Sequence, residues 1–402
     1  MLQGNVDFSR IAGIVRYQAS HNKWFQAVGI AVLVFVIYFV TSHGSTPFNH
    51  IVRLADAFLD GRLYLLDAPA NLELARYGEK AFVINPPAPT LFVLPWVAIW
   101  GISTNQTIVC MIVGSASIGL FWVAATQMRW SLPLKAAITL LLAFGTNFWW
   151  AATDGSLWTF AHVSAVFFLM AALVETTGRN RPWLVGILVG LAGLSRLTTF
   201  LTSPFFAYTV AQGAEGRRII IRRLAVFGLA LAAMVGVYLA YNYGRYETFS
   251  DQGYYHPQYL TEPWFAKGRF DISYIPRHVE AILFKGPVIT EEFPFFKPSS
   301  YGLGLFFTTP ALLYIFRAEL RGLPLAALVA VLLTAVIWMI HGTTGWAQFG
   351  YRYSMDVLPF LAILVASGMR YRLDRLKIAV ILLSCAINLW GTLSFHKLDW
   401  GA

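Results

Sequence analysis

A short stretch after the first long apolar segment, NHIVRLADAFLDGRLYL, carries charged residues at helical spacing. Its polar residues are Asn49, Arg53, Asp56 and Asp60, spaced by four, three and four. That spacing places them on one face of a helix, which is expected to lie flat at the membrane surface. A carboxylate held there could take a proton from a nucleophile, so Asp56 is a candidate general base. The alternative is a solvated face with an Arg53–Asp56 ion pair.

Two cations precede a Pro-Pro pair in the next segment, ARYGEKAFVINPPAPTLFVLPW. Arg76 and Lys80 could bind the phosphate of an anionic lipid headgroup, because cations of this kind form charge-assisted hydrogen bonds with phosphate. The alternative is ordinary snorkelling, in which long cationic side chains reach the membrane interface without binding a particular ligand.

The segment WWAATDGSLWTFAH joins two aromatic-rich apolar segments and carries Asp154 and His162. Asp154 is a candidate functional acid, and the alternative is a cap for the helix that begins at Gly155 or Ser156. His162 follows about two turns later, inside an apolar segment. A polar residue at that depth predicts a functional site, and a hydrogen-bonded core histidine is the alternative.

The segment HGTTGWAQFGYRYSMD places His341, Trp346, Gln348, Arg352 and Asp356 in one short turn between two apolar segments. Arg352 is the best candidate in the chain for binding phosphate, because its planar fork matches phosphate oxygens. Trp346 and Gln348, in the same turn, are further candidates for substrate contacts. A plain Arg352–Asp356 pair is the alternative.

The composition identifies the elements that must position these residues. The chain has 402 residues, of which 57% are apolar and only 12% charged, whereas soluble domains carry about 25% charged residues. Several segments approach the roughly 20 apolar residues that span a bilayer. The sequence therefore predicts an all-α polytopic membrane protein, a single domain over residues 1–402. The net charge of +10 lies in short loops and comes with no nucleic-acid motif, so no nucleic-acid partner is expected.

The basic loops predict the orientation. Arg and Lys cluster near residues 10–23, 129–135, 179–181, 217–223, 317–321 and 370–377, and the positive-inside rule places all of them in the cytoplasm together with the N-terminus. The outer side then holds two large loops, 43–88 and 244–300, and smaller turns at 153–156 and 341–354. The aromatic-rich second loop contains a predicted interfacial helix in SYIPRHVEAILFKGP. Its rings favour the membrane interface or stack on sugars.

An even number of spans must separate the basic loops near 10–23 and 129–135 if both are cytoplasmic. Residues 89–101, a short segment that contains Pro95, therefore cannot form a full crossing. We interpret it as a re-entrant or surface-lying helix, which gives about eleven spans and an outer C-terminus. An ordinary twelfth span is the alternative. A further interfacial helix is predicted at residues 8–19.

Several motifs, taken in order, resemble the integral-membrane GT-C glycosyltransferases. They are LADAFLDGRLYL, YGEKAFVINPPAPTLFVLPWVAIWG, TDGSLWTFAH, GLAGLSRL and QFGYRYSMDVLPFL. The chain is most similar to the bacterial branch related to protein O-mannosyltransferases and to the lipid A aminoarabinose transferase. This resemblance implies inverting transfer of a sugar from a polyprenyl-phosphate donor to a glycan, lipid or protein acceptor, on the outer face of the bacterial cytoplasmic membrane.

The resemblance also implies residue roles. Asp154 matches the family's acid at the second outer turn, and Lys80 lies near the cation before the family's Pro-Pro. The family usually carries an acid directly after the first span, where this chain has Asn49 and His50. Asp56 is therefore expected to supply the base, with His50 second, unless activity is altered or lost.

Three functions stay open on the sequence. A GT-C-fold glycosyltransferase is the main hypothesis. The others are a flippase or transporter of lipid-linked sugars and a non-catalytic relative. The chain has no phosphate-binding glycine-rich loop, no HExxH and no CxxC. No cofactor is predicted with certainty, and a divalent cation stays compatible with the resemblance.

Overall fold

The computed structural model describes residues 22–66 and 68–398, so the interfacial helix expected at residues 8–19 lies outside the described residues. The α-helices, in chain order, are α1 Lys23–Thr41, α2 His50–Leu59, α3 Thr90–Trp100, α4 Gln106–Gln127, α5 Leu132–Phe144, α6 Phe148–Asp154, α7 Leu157–Thr177, α8 Pro182–Gly193, α9 Ser203–Ala211, α10 Arg217–Tyr246, α11 Pro257–Leu260, α12 Ile275–Leu283, α13 Leu305–Thr308, α14 Leu323–Ile340, α15 Leu358–Gly368 and α16 Arg375–His396.

Short 3-10 helices and two small hairpins complete the described structure. The 3-10 helices are Gly101–Ser103, Leu197–Thr202, Pro263–Phe265, Ile272–Tyr274, Pro310–Arg317 and Arg352–Val357. The hairpins are antiparallel: β1 Leu74–Tyr77 pairs with β2 Lys80–Val83, and β3 Val288–Ile289 pairs with β4 Phe296–Lys297.

Six helices of the described chain are long and apolar enough to cross a membrane: α1, α4, α7, α10, α14 and α16. The pair α5 and α6, bent by 48°, makes a seventh if it is counted as one span. The predicted all-α polytopic membrane fold is confirmed.

The remaining predicted spans consist of shorter pieces. In the sequence, Arg196 and Pro204 interrupt the apolar segment at 183–212, which predicts two spans. The structure divides this segment into α8, a 3-10 helix and α9. Two further predicted spans each combine a 3-10 helix with a short α-helix. One consists of α13 and the 3-10 helix Pro310–Arg317, and the other consists of the 3-10 helix Arg352–Val357 and α15. No such helix alone approaches roughly 20 residues. The predicted eleven spans thus exceed the six or seven helices that qualify by length and composition.

The segment at 89–101 forms the 11-residue helix α3. Its length of about 16 Å is far short of a hydrocarbon core of about 30 Å. It packs against α2, the amphipathic helix of the first outer loop. These facts agree with the re-entrant or surface-lying interpretation.

The core of the bundle is formed by α4, α7 and α15, whose side chains are mostly buried. Small residues allow close approach between neighbouring helices. A Cβ atom at Gly119 of α4 would lie 2.8 Å from the Ala27 carbonyl oxygen of α1, and one at Gly186 of α8 would lie 2.6 Å from the Phe227 carbonyl oxygen of α10. Glycine is therefore required at both contacts.

The predicted outer loops meet at one end of the bundle. The Tyr77 hydroxyl of β1 donates to the Gln252 carbonyl at 3.1 Å, which joins the first large loop to the second. The Asp271 amide donates to the Ile340 carbonyl at 2.8 Å, which joins the second loop to the end of α14. Side chains that are distant in sequence can therefore assemble here.

The basic loops meet at the opposite end. Arg223 at the start of α10 donates to the Asn180 carbonyl at 2.8 Å, and the Glu319 amide donates to the Ser367 hydroxyl at 3.0 Å. This separation of loops is the one that the charge pattern predicts.

Candidate active site

A buried carboxylate, Asp356, joins three elements at the end of the bundle where the predicted outer loops meet, which we term the outer end. Its Oδ1 accepts from Nδ1 of His162 at 2.6 Å, and its Oδ2 accepts from the Thr198 hydroxyl at 2.6 Å. The Arg196 Nε lies 3.4 Å from Oδ1. Asp356 thereby ties α7 and the 3-10 helix after α8 to the 3-10 helix that carries it. It does not pair with Arg352, which excludes the plain helix pair considered from the sequence.

Two guanidinium groups lie against the ring of Tyr353. The Arg196 Cζ is 5.7 Å from the ring centroid, and the Arg352 Cζ is 5.8 Å from it. Arg352 also donates to the Trp346 carbonyl at 3.1 Å. Cations over an aromatic face are held by electrostatic attraction while their N–H groups stay available. Arg352 is therefore positioned without a carboxylate partner among the described residues.

A third cation, Arg269, lies among the rings of the second outer loop. Its Cζ is 4.9 Å from the Tyr254 ring centroid and 5.1 Å from that of Phe265. Its buried Nε has no hydrogen-bond partner within the described chain. Burial lowers the pKa of Arg269. Its segment is held in place because the Arg269 carbonyl accepts from the Gly342 amide at 2.9 Å.

A carboxylate that the sequence did not indicate, Glu73, lies near these cations. It precedes β1, and its Oε2 accepts from the Trp158 indole N–H at 3.1 Å. Burial raises the pKa of Glu73, while the Trp158 bond and the charges of Arg352 and Arg269 partly oppose that rise. A carboxyl group with a raised pKa is a stronger base once it is ionised.

The first turns of α7 connect the two carboxylates. Trp158 and His162 are four residues apart, so they lie on one face of this helix. Trp158 binds Glu73, and His162 binds Asp356. The outer end of α7 thus presents one face to a cluster that comprises Glu73, Arg196, Arg269, Arg352, Tyr353 and Asp356, which we term the arginine cluster.

His50 lies beside this cluster. Its ring centroid is 5.9 Å from that of Trp158, and neither ring nitrogen forms a hydrogen bond within the described residues. Burial lowers the pKa of His50 to about 4, although the carbonyls of Phe48 and Glu73 oppose the shift. The imidazole is therefore neutral near pH 7 and is a weak base there.

The other residues of the first predicted site lie apart from the arginine cluster. α2 forms as predicted, with a mostly buried apolar face and a polar face that is half-buried except for the exposed Asp60. Arg53 donates to Oδ1 of Asn49 at 3.0 Å rather than pairing with Asp56. Within the described chain, the half-buried Asp56 makes no side-chain hydrogen bond or ion pair.

Asp154, the last residue of α6, accepts two hydrogen bonds from the start of the next helix. Its Oδ2 accepts from the Ser156 amide at 3.0 Å and from the Thr159 hydroxyl at 2.8 Å, at the start of α7. The His43 Nε2 lies 3.9 Å from its Oδ1. Asp154 is thus engaged at the start of α7 rather than free, although the N-cap position of that helix is Ser156, which makes no side-chain cap bond.

Arg76 and Lys80 are exposed on the β1–β2 hairpin, outside the arginine cluster. The Lys80 Nζ lies 5.2 Å from the Tyr64 ring centroid. Lys80 also lines a surface cavity of about 520 Å³ between this hairpin and the end of α10. Among the described contacts, neither cation is joined to the three arginines.

The two remaining candidates differ in exposure. Trp346 is 61% exposed, while Gln348 is fully buried. Gln348 donates to the Thr344 carbonyl at 2.9 Å and to the Tyr301 carbonyl at 3.3 Å, so its amide holds two outer segments together. No group of three or more His, Cys, Asp or Glu side chains in the described ranges is arranged to hold a metal ion.

The structure brings the predicted residue Arg352 into the cluster and places the predicted residue His162 against its Asp356. Four other members were not candidates from the sequence: Glu73, Arg196, Arg269 and Tyr353. Arg196 was noted only as an interruption of an apolar segment, although an arginine in such a segment is itself a signal of function. Arg269 and Glu73 stand in outer loops without a recognisable motif, and only the tertiary structure brings them together.

The chain has a GT-C-type membrane fold. Two solved structures that share it are crystal structures of ArnT from Cupriavidus metallidurans. The one bound to undecaprenyl phosphate is 16% identical with a TM-score of 0.55, covering 90% of this chain and 62% of that one. The apo structure is 17% identical with a TM-score of 0.52, covering 87% of this chain and 59% of that one.

At these identities the likeness establishes the fold, and this chain spans less than two thirds of the length of either ArnT structure. No protein-family model and no curated relative matches the chain. The predicted GT-C resemblance is confirmed at the level of fold.

Proposed function

We propose that this protein is a membrane glycosyltransferase that moves a sugar from a polyprenyl-phosphate-linked donor to a glycan, lipid or protein acceptor. The observation that carries the proposal is the arginine cluster. Three guanidinium groups and one carboxyl with a raised pKa lie together at the outer end of a GT-C-type bundle. Of these three guanidinium groups, only that of Arg196 has a carboxylate partner among the ion pairs of the described chain.

The charges fit an anionic lipid phosphate. Arg269 and Arg352 offer N–H donors that no carboxylate of the described chain occupies, and guanidinium groups bind phosphate oxygens in a bidentate manner. One of the structural neighbours was crystallised with undecaprenyl phosphate. A lipid phosphate of this kind, with its tail among the apolar helices, is the donor class that we propose.

The chemistry asks little of the protein beyond position and charge. An acceptor hydroxyl oxygen attacks the anomeric carbon, the bond from that carbon to the phosphate oxygen breaks, and polyprenyl phosphate leaves with the electron pair. The hydroxyl proton passes to a carboxylate. A direct attack of this type inverts the anomeric centre. Arg269 and Arg352 would stabilise the charge that develops on the leaving phosphate.

The remaining candidates take secondary roles in this proposal. Arg76 and Lys80, exposed on the hairpin, would contact the headgroups of membrane lipids. Trp346, exposed beside Arg352, would provide a face for a sugar ring. The positive-inside rule supports a multi-pass protein in a bacterial cytoplasmic membrane with the arginine cluster on the outer face.

The test is mass spectrometry of membrane lipids and surface glycans from cells with and without the gene. We expect one sugar to be missing from a surface product and its lipid-linked donor to accumulate. Complementation with an Arg269→Gln/Arg352→Gln variant should fail. A matched control, Arg321→Gln, changes an exposed arginine at the opposite end and should restore the sugar.

Two outcomes would contradict the proposal. Unchanged glycans and lipids in the deletion strain would remove the glycosyltransferase assignment. Movement of a lipid-linked sugar across vesicles by the purified protein, with no transfer product, would identify a flippase or transporter. Repeating the transfer assay with EDTA tests whether a divalent cation takes part.

A further inference from the structure

The proposed reaction needs a base that accepts the proton of the acceptor hydroxyl. The family resemblance expects an acid directly after the first span, where this chain carries Asn49 and His50. The structure places a different carboxylate beside that position. The His50 ring faces Trp158, and the Trp158 indole donates to Oε2 of Glu73. The backbone carbonyl of Glu73 also acts on the His50 ring, whose pKa it raises against the effect of burial.

We propose that Glu73 is the general base that takes the proton from the acceptor hydroxyl, in place of the acid absent after the first span. The assignment rests on the proposed function. In this step the Glu73 carboxylate gains the proton, the acceptor oxygen forms its bond to the anomeric carbon, and polyprenyl phosphate departs.

The other acidic candidates are already engaged or displaced. Asp356 has three partners and is fully buried. Asp154 accepts from the Ser156 amide and from the Thr159 hydroxyl. A carboxylate whose oxygens hold several donors is a weaker base than one with a single neutral donor.

Asp56 lies further along α2. His50 is the end of α2 that adjoins Trp158 and Glu73, and Asp56 follows it by six residues, which is about 9 Å along a helix axis. Among the described contacts, Asp56 is joined neither to Trp158 nor to any arginine of the cluster.

Glu73 has the surroundings that a base requires. Trp158 fixes one oxygen by a single neutral hydrogen bond and leaves the other oxygen, Oε1, without a protein partner among the described contacts. Arg352 and Arg269 influence its carboxyl group electrostatically, so the base and the proposed phosphate contacts share one region. This proximity matches a reaction in which the nucleophile and the leaving group flank one carbon.

The first experiment compares four variants of the full chain for restoration of the missing sugar and for transfer rate in purified form. We expect Glu73→Gln to lower the rate about 10²–10⁴-fold, the usual contribution of a general base, and Glu73→Asp to retain part of it. Asp56→Asn and the matched control Glu291→Gln, an exposed glutamate of the second outer loop, should stay within a few-fold of wild type. Binding of undecaprenyl phosphate, measured by native mass spectrometry, should be unchanged in Glu73→Gln.

Trp158→Phe gives a second test that does not depend on the folding of Glu73→Gln. Loss of the indole N–H removes a bond that favours the charged carboxylate, so the pKa of Glu73 should rise. The acidic limb of the rate profile should then move to higher pH, and Trp158→Phe in the Glu73→Asp background should move it likewise.

The outcomes separate this assignment from the proposed function. Suppose that the wild-type protein transfers the sugar. The role of Glu73 would then be overturned if Glu73→Gln had a wild-type rate, or if Asp56→Asn alone lost transfer. An unmoved acidic limb in Trp158→Phe would overturn it as well. Absence of any transfer by wild type would instead contradict the proposed function.

Discussion

Replacing Asp356 by asparagine is expected to destabilise the outer end of the bundle strongly. The carboxylate is fully buried and receives two hydrogen bonds of 2.6 Å, from His162 and from Thr198. The mostly buried Arg196 lies 3.4 Å from it. Asparagine is nearly isosteric but uncharged, so the variant removes the charge and leaves the shape.

The magnitude follows from these three partners. Removing one member of a buried charged pair costs about 3–5 kcal/mol, because the other charge stays buried and uncompensated. Hydrogen bonds to charged groups contribute about 1.5–3 kcal/mol each, so Thr198→Val should cost less than Asp356→Asn. At roughly 2 °C per kcal/mol or somewhat less for a chain of this length, Asp356→Asn should lower Tm by roughly 5–10 °C.

The assay is thermal unfolding followed by intrinsic tryptophan fluorescence, with every variant in the same detergent. Asp60→Asn provides the matched control, because Asp60 is exposed and its pair with Arg62 lies at the surface. Exposed pairs contribute about 0–1 kcal/mol, so the Tm of this control should stay within about 2 °C of wild type. An Asp356→Asn protein that unfolds within the same margin would refute the buried network as a source of stability.

Three further predictions concern the site and the core. Arg269→Gln and Arg352→Gln should each lower purified transfer activity by about 10²–10³-fold with little change in Tm, and equal activity in both variants and wild type would exclude a phosphate contact. The wild-type rate should fall as pH drops through the raised pKa of Glu73, so the acidic limb of a pH–rate profile should lie above the ordinary glutamate value of about 4.3. Gly119→Ala should cost about 1–3 kcal/mol by overpacking, because its Cβ would lie 2.8 Å from the Ala27 carbonyl oxygen, and detergent unfolding curves measure that cost.

The sequence predicts the membrane class because that class depends on composition and on periodicity along the chain. Apolar length identified the first span and the central helix α7, and the polar and apolar faces of α2 followed from helical spacing. The shorter helices could not be sized in this way. Arg196 and Pro204 indicate a break in the apolar segment at 183–212, but they do not show that the backbone leaves the α conformation after Gly193 and resumes it at Ser203.

The site was only partly predictable, because its members are brought together by loops rather than by spacing. Arg352 and His162 were identified since each stands beside or within an apolar segment. Glu73 and Arg269 are separated by almost 200 residues and meet through the contact between two outer loops. Asp56 was favoured because it is the first acid after the first span and shares a helix face with Arg53. Neither feature shows how the other outer loops fold around it.

The three arginines of the arginine cluster differ in whether a carboxylate lies beside them, and this difference indicates the kind of ligand that the cluster binds. A desolvated guanidinium is costly unless an anion lies beside it. Arg196 has that anion in Asp356, at the outer end of the core. Arg269 and Arg352 are kept among aromatic rings and backbone carbonyls instead, and the buried Nε of Arg269 has no partner in the described chain. Arg352 is only half-buried, so the uncompensated desolvation falls mainly on the Nε of Arg269, and no carboxylate of the described chain pairs with either cation. An anionic ligand that binds beside them would supply the missing charge, so the same feature that weakens the unliganded protein would strengthen its hold on a lipid phosphate.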